Sequence, residues 1–467
     1  MKCQVLVKKV DGRHKRVYTD ASTQVLVNGN ALPNIGAVGK VKYLGLQFDH
    51  SGIVPATGET VRRQLGELTH APLKPEQRMY ILQTYVIPGA LHTLVLGRCR
   101  STELKRLDQS IRKGVRSWLC LPPDAPDAFI HAHVRDGGLG VPETSANIPL
   151  LRFDRASRIL SSSHEPIRKL AGSPYIRRLL HQSEPVTRDG VRLDSKTAIR
   201  RHHRGRLLRT VDGRGLENAA GVPCVNDWIK AQRPPLRGCH FVGAIKVRGN
   251  LLYTAQRAAR ARTEGGRITC DAGCLTAEIL GHISQVCHRT AAPRTARHNR
   301  VLDLAARFLK DRGASALVKE PDISTPAGLR KPDLLVKIRD QAVVLDAQVV
   351  ADNGDLDAAD ERKRVYYDTH AIREYAGHSL GVVPESVRFG SVTLNWRGAF
   401  SKASAGLLSE LGLSARQLEL LSVRTLEGTH QIFKIFRAST ATISGTRRRP
   451  RPAGLASRAR TRPGHRW

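Results

Sequence analysis

The chain has 467 residues and a mass of 51.4 kDa, room for about three domains. Its 76 lysines and arginines against 41 acids give a formal charge of +35 and a pI of 10.7, a field that favours a polyanion, most simply nucleic acid. No stretch reaches the roughly 18 continuous apolar residues of a bilayer span, MKCQVLVKKV lacks a signal peptide's apolar core, and the cysteine pattern does not suit a secreted disulfide scaffold. A membrane protein, a secreted mini-protein and a metabolite enzyme of ordinary charge are therefore not expected, nor is a membrane partner or a small-molecule substrate.

Residues 2–10 read as a strand. Gln24–Val27 and Ala31-Leu32 read as a hairpin about Asn28-Gly29, because that dipeptide supplies the positive φ a tight turn needs. VKYLGLQF at 41–48 reads as one more strand. So small a set of strands suits the end of a domain whose beginning lies upstream. Residues 74–120 look helical, with Pro75 in a first turn and Ser101 as an N-cap. Leu104, Leu107, Ile111, Val115 and Trp118 recur at spacings of three and four and form one apolar stripe. Arg112, Lys113 and Arg116 fall mostly off it, toward phosphates or simply toward water. Residues 151–262 are arginine-rich, with RHHRGRLLR at 201–209, and read as irregular helices and linker. The tail from Thr446 to Trp467 has eight arginines, three prolines and no acid, a composition that predicts disorder and nonspecific phosphate attraction.

Residues 270–287 read CDAGCLTAEILGHISQVC. Cys270, Cys274, His282 and Cys287 give Cys-x3-Cys-x7-His-x4-Cys, the thiolate and imidazole set that a tetrahedral Zn²⁺ prefers. His288 is a rival for the fourth place; Cys287 is preferred for its thiolate. The alternative is three buried cysteines near a surface histidine. Cys3, Cys99, Cys120, Cys224 and Cys239 read as ordinary buried thiols.

Residues 296–400 change character and read as a compact αβββαβ unit. Its pieces are a helix over 297–312 stopped by Gly313, strands over 316–319, 331–338 and 341–350, a helix over 355–376 and a strand over 387–396. If Arg339-Asp340 is a two-residue turn, Asp333 and Asp346 sit directly opposite, with Cβ atoms about 4.5–5.5 Å apart. Two carboxylates so close need a cation between them, and Mg²⁺ is the natural occupant. Lys363 on the next helix, with Tyr367 one turn on, would complete a metal-dependent phosphodiesterase. The alternative is ordinary strand-edge acids and one of many surface lysines.

At this point several motifs resemble a family in the same order. They include YLGLQF at 43–48, LKPEQRMYIL at 73–82, YVIPGALHTLVLGR at 85–98, GGLGVP at 137–142 and IKVRGNLLYT at 245–254. The cysteine cluster, RHNRV at 297–301, KPDLLV at 331–336, LDAQVV at 345–350 and RKRVYYD at 362–368 follow. Residues 1–400 resemble the C-terminal part of the Pol protein of site-specific non-LTR retrotransposable elements of the R-two class. The resemblance implies a multidomain α+β chain. Its parts would be the end of a reverse transcriptase palm (1–52), a helical thumb (53–150), a basic helical linker (151–262) and a zinc knuckle (263–295). A restriction-like endonuclease (296–400), a helical or strand extension (401–445) and a disordered tail (446–467) would complete it.

The resemblance implies zinc on Cys270, Cys274, His282 and Cys287. It implies a nuclease with acids Asp333 and Asp346, a displaced lysine at Lys363 and its tyrosine at Tyr367. Arg112, Lys113, Arg116, Arg297 and His298 are the expected nucleic-acid contacts. The implied partners are target DNA, ribosomal in this family, and element RNA, met in the nucleus. The implied activity is nicking of one DNA strand to prime reverse transcription. No polymerase Asp-Asp pair precedes Lys2, so the chain alone is not expected to polymerise. Two departures stand out: Gln348, not lysine, follows Asp346 with one residue between, and Tyr366 stands where the family often has lysine. A catalytically dead nucleic-acid-binding remnant is the alternative.

Overall fold

The structure is a computed structural model that describes residues 4–35, 39–50, 52–174, 184–260 and 266–440. Lys2, Cys3 and the tail expected from Thr446 on lie outside the described residues.

Three small antiparallel pieces come first: Lys8–Asp11 with Arg16–Thr19, Leu26–Val27 with Asn30–Ala31, and Val41–Tyr43 with Leu46–Asp49 and Gly52–Ile53. The Asn28-Gly29 turn has φ of 49° and 78°, as the dipeptide predicts. The expected single strand over 41–48 is instead a hairpin. Leu44 and Gly45 both take positive φ, 47° and 80°, and reverse the chain inside an apolar run where no Asn-Gly or Asp-Gly signals a turn.

A helical body follows. Ser101–Trp118 buries the whole stripe read from the sequence, with Leu107, Ile111 and Val115 fully enclosed. Ser101 is the first helical residue rather than the cap, a place taken by Arg100. Pro75 does open a helix, Pro75–Ile81. The run Pro75–Leu96 is long and apolar enough by composition to cross a bilayer, yet Met79, Leu82, Val86, Ile87 and Leu94 line the helical core.

The expected linker over 151–262 is a correction. Trp228, Phe241, Ile245 and Leu251 lie in the same hydrophobic cluster as Leu107 and Phe129. Glycines and prolines break this region into short turns such as Arg214–Ala220 and Pro223–Ile229, so its apolar residues show no period although they are buried.

The α/β unit opens with the helix Ala291–Asp311, ended at Gly313 with φ 90°. Its sheet runs Ala314–Lys319, Leu334–Ile338, Gln341–Val350, Val387–Asn395, antiparallel until the last pair, which is parallel. Leu334 pairs Leu345 and Ile338 pairs Gln341, so the Arg339-Asp340 turn is real, with Arg339 at φ 55°. The expected helix over 355–376 is two, Leu356–Tyr367 and His370–Leu380, broken at Asp368-Thr369. A hairpin, Ile323–Thr325 with Gly328–Arg330, was not anticipated. One sheet face packs Val343, Leu345 and Val392 against the Ala291–Asp311 helix. The other packs Leu335, Val344 and Val387 with Tyr367 and Ile372.

The C-terminal extension contains no strand among its described residues. Lys402–Glu410 and Ala415–Thr440 are helices. The second is the strut of the molecule. Leu418 and Leu421 enter the sheet's core, Val423 and Leu426 the helical core, and Ile432 and Phe436 the core of the cysteine module.

Candidate active site and metal centre

Continuing the Leu334–Leu345 register by one step aligns Asp333 with Asp346. Both lie on the face covered by the Leu356–Tyr367 helix, because alternate residues of a strand share a face. Asp346 is 4% exposed. Its Oδ2 lies 2.8 Å from Lys363 Nζ, an ion pair without hydrogen-bond alignment. Burial, then the nearby Asp333 charge, pushes the Asp346 carboxyl above the usual carboxylate range, while Lys363 pulls it back. Asp333 Oδ2 accepts from the Ala347 N–H at 2.6 Å, and its Oδ1 faces His298 Nε2 at 3.4 Å. That contact raises the His298 pKa and favours the imidazolium. Tyr367 donates its hydroxyl to the Lys331 carbonyl at 3.2 Å. Burial and Asp346 push that hydroxyl's pKa up, so it stays protonated. Oxygen donors on a buried, mutually repelling pair are the set a hard divalent cation fits.

Gln348, the departure noted in the sequence, is a brace. Its Nε2 donates to the Ala359 carbonyl at 2.9 Å and to Thr393 Oγ1 at 2.7 Å, tying strand to helix. Beside it the buried Asp360 accepts from Ser391 at 2.5 Å and Ser404 at 2.8 Å. These hydroxyls sit on two elements, the Val387–Asn395 strand and the Lys402–Glu410 helix, and carried no sequence signal. They fix the helix one turn before Lys363.

The four cysteine and histidine ligand atoms lie within 4.8 Å of one another. Cys287 Sγ is 3.9 Å from both Cys270 and Cys274. Sulfurs at Zn–S ~2.3 Å on a tetrahedron would stand about 3.8 Å apart, so the site fits zinc. His282 Nδ1 pairs with Thr276 Oγ1 at 3.1 Å, leaving a buried Nε2 without a partner, the atom a metal would take. Burial pushes the metal-free Cys270 thiol up to about 12. His288 instead contacts the Cys274 sulfur through Nδ1 at 3.4 Å, outside the four-atom cluster.

The expected nucleic-acid contacts are not brought together. Arg112 and Arg116 both pair with Asp127, at 3.2 and 2.5 Å, and are half-buried, while Lys113 of that helix trio is exposed. Arg297 is a correction. It is 3% exposed, and its Nη1 donates to Thr429 Oγ1 at 3.0 Å on the C-terminal strut. Burial holds its pKa down at about 9. His298, its neighbour, belongs to the acid pair. Of the cysteines read as buried thiols, Cys99 is buried, Cys224 half-buried, and Cys120 and Cys239 are exposed.

No family model matches the chain. The retrovirus-related Pol polyprotein from type-2 retrotransposable element R2DM of Drosophila melanogaster is 34% identical over 430 residues, 91% of this chain. Pol polyproteins from type-1 element R2 of Nasonia vitripennis and Bradysia coprophila are 30% and 32% identical over 96% and 90% of it. The chain is a homologue of R2-element Pol polyproteins. It spans 40%, 42% and 48% of the length of these three relatives.

Proposed function

We propose that this chain is the nuclease-bearing part of a retrotransposon reverse transcriptase/endonuclease and nicks target DNA to prime copying of element RNA. The observation that carries the reading is the buried Asp346, paired with the half-exposed Lys363, with Asp333 next to it in register. The names of the relatives and the +35 charge support a nucleic-acid substrate. In this reading Asp333 and Asp346 hold Mg²⁺. The bound ion would acidify a water and offset phosphate charge. Lys363, 34% exposed at its side chain, is in part open to solvent and can meet the scissile phosphate. His298 steadies Asp333, and Tyr367 ties the C-terminal end of its helix to the Lys331 carbonyl in the segment just before Asp333. The cysteine module is structural, holding zinc against the C-terminal strut. The target is ribosomal DNA in the nucleus, and element RNA is the second nucleic-acid partner.

The test is Mg²⁺-dependent nicking of supercoiled plasmid by the full chain. Nicking by wild type, lost in Asp333→Asn, supports the assignment; equal nicking by both contradicts it. A binding protein without chemistry is the second reading, favoured by the purely structural use of Gln348. It predicts DNA binding with no nicking under any divalent metal.

A further inference from the structure

Arg330 ends the short strand Gly328–Arg330, three residues before Asp333. Its guanidinium carbon lies 3.8 Å over the Tyr366 ring centroid. Tyr366 meets Tyr367 edge-on, with centroids 4.9 Å apart and planes at 90°. Lys363 Nζ lies 5.6 Å from the Tyr367 centroid. Two cations thus rest on consecutive tyrosines beside the acid pair.

The two cations differ in one respect. Lys363 is ion-paired with Asp346. Arg330 has no carboxylate within 4.0 Å among the described residues, and its Nε is buried without a partner. Its neighbour Lys331 is offset by Glu320 at 3.5 Å and Asp322 at 3.8 Å. A half-buried guanidinium without an anion is costly, and a stacked ring returns only part of that cost. What a fixed guanidinium fork matches best is a pair of phosphate oxygens.

We infer that Arg330, held on the Tyr366 ring, is a DNA-phosphate-binding residue of this site, gripping the non-bridging oxygens of a phosphate next to the nick. The inference rests on the nuclease reading above. Lys363 then serves the scissile phosphate, and Arg330 fixes the strand beside it.

The experiment is a protein–substrate double cycle at the nick site mapped on plasmid DNA. Single-turnover rates are measured for wild type, Arg330→Ala, Arg330→Lys and Tyr366→Leu. The duplexes carry one neutral methylphosphonate at each flanking phosphate in turn. Arg330→Ala should slow nicking at least tenfold, with zinc content and half-saturating Mg²⁺ unchanged. Arg330→Lys should recover part of the rate. At one position the methylphosphonate should slow wild type but add nothing to Arg330→Ala. If the two losses multiply at every position, or if Arg330→Ala nicks like wild type, the inference is wrong while the nuclease reading stands. If wild type nicks nothing, both fall together.

Discussion

Lys363 Nζ stands 2.8 Å from Asp346 Oδ2, joining a strand buried in the sheet to a helix that packs across it. Coulomb attraction alone would not set this geometry, since a lysine side chain has many rotamers. The Gln348 and Asp360 hydrogen bonds fix the helix first, and the lysine then has one short way to an anion.

Gln348→Leu should therefore lower the nicking rate without weakening DNA binding. It removes two hydrogen bonds from a packed interface and leaves Thr393 and the Ala359 carbonyl without that donor. The expected cost is about 1–3 kcal/mol of stability, read by chemical denaturation. An unchanged denaturation midpoint would mean that the brace carries no energy.

The zinc module gives a second prediction. Purified chain should carry about one zinc, and Cys274→Ser should lose it. The loss should loosen Ile432 and Phe436 of the strut, because both pack in the cysteine core. Metal analysis with limited proteolysis checks this; full zinc content in the variant would contradict it. Since burial, with the neighbouring Cys287 and Cys274 adding to it, raises the Cys270 thiol to about 12, zinc must displace protons, and retention should weaken as pH falls.

The contact between the Ala291–Asp311 helix and the strut is close at one point. A Cβ placed on Gly428 would come within 2.5 Å of Arg297 Cγ. Gly428→Ala should overpack the seam and cost about 1–3 kcal/mol, lowering the thermal midpoint. Arg297→Met should leave the salt dependence of DNA binding unchanged, because Arg297 faces Thr429 and not solvent. A flatter salt slope for Arg297→Met would restore the phosphate contact read from the sequence.

A buried histidine group gives the pH dependence of stability. His131, His202 and His203 lie together, with ring centroids 5.6 and 5.5 Å apart, beside Glu143. Burial lowers the His203 pKa to about 4, although Glu143 pulls it upward. The unfolded chain, with histidine near 6.5, therefore takes the proton first. Stability from the neutral ring is complete above pH 6.5 and is lost as pH falls toward 4, by on the order of 2–3 kcal/mol. His203→Gln should flatten that dependence in urea denaturation between pH 7.5 and 5. The same slope in both proteins would contradict it.

Much of the site was legible because its register is short-range. A two-residue turn fixes Asp333 against Asp346 by arithmetic, and the zinc ligands fall within 18 residues. The apolar stripe of Ser101–Trp118 was legible for the same reason, being one face of a regular helix. Long-range pairings were not legible. Arg297 reads as a surface cation until Thr429 closes over it from the far end of the chain. The 151–262 region hides its core because turns break its period. The Leu44-Gly45 reversal places a leucine in a conformation that leucine rarely adopts, so composition argues against it.

The most direct measurement is single-turnover cleavage of a labelled duplex, titrated with Mg²⁺, for wild type, Asp346→Ala and Lys363→Ala. Asp346→Ala should abolish nicking and weaken the Mg²⁺ dependence, with DNA affinity near normal or slightly higher as a repelling charge is removed. Lys363→Ala should slow cleavage while Mg²⁺ still saturates as in wild type. Wild-type nicking matched by Asp346→Ala would contradict the account.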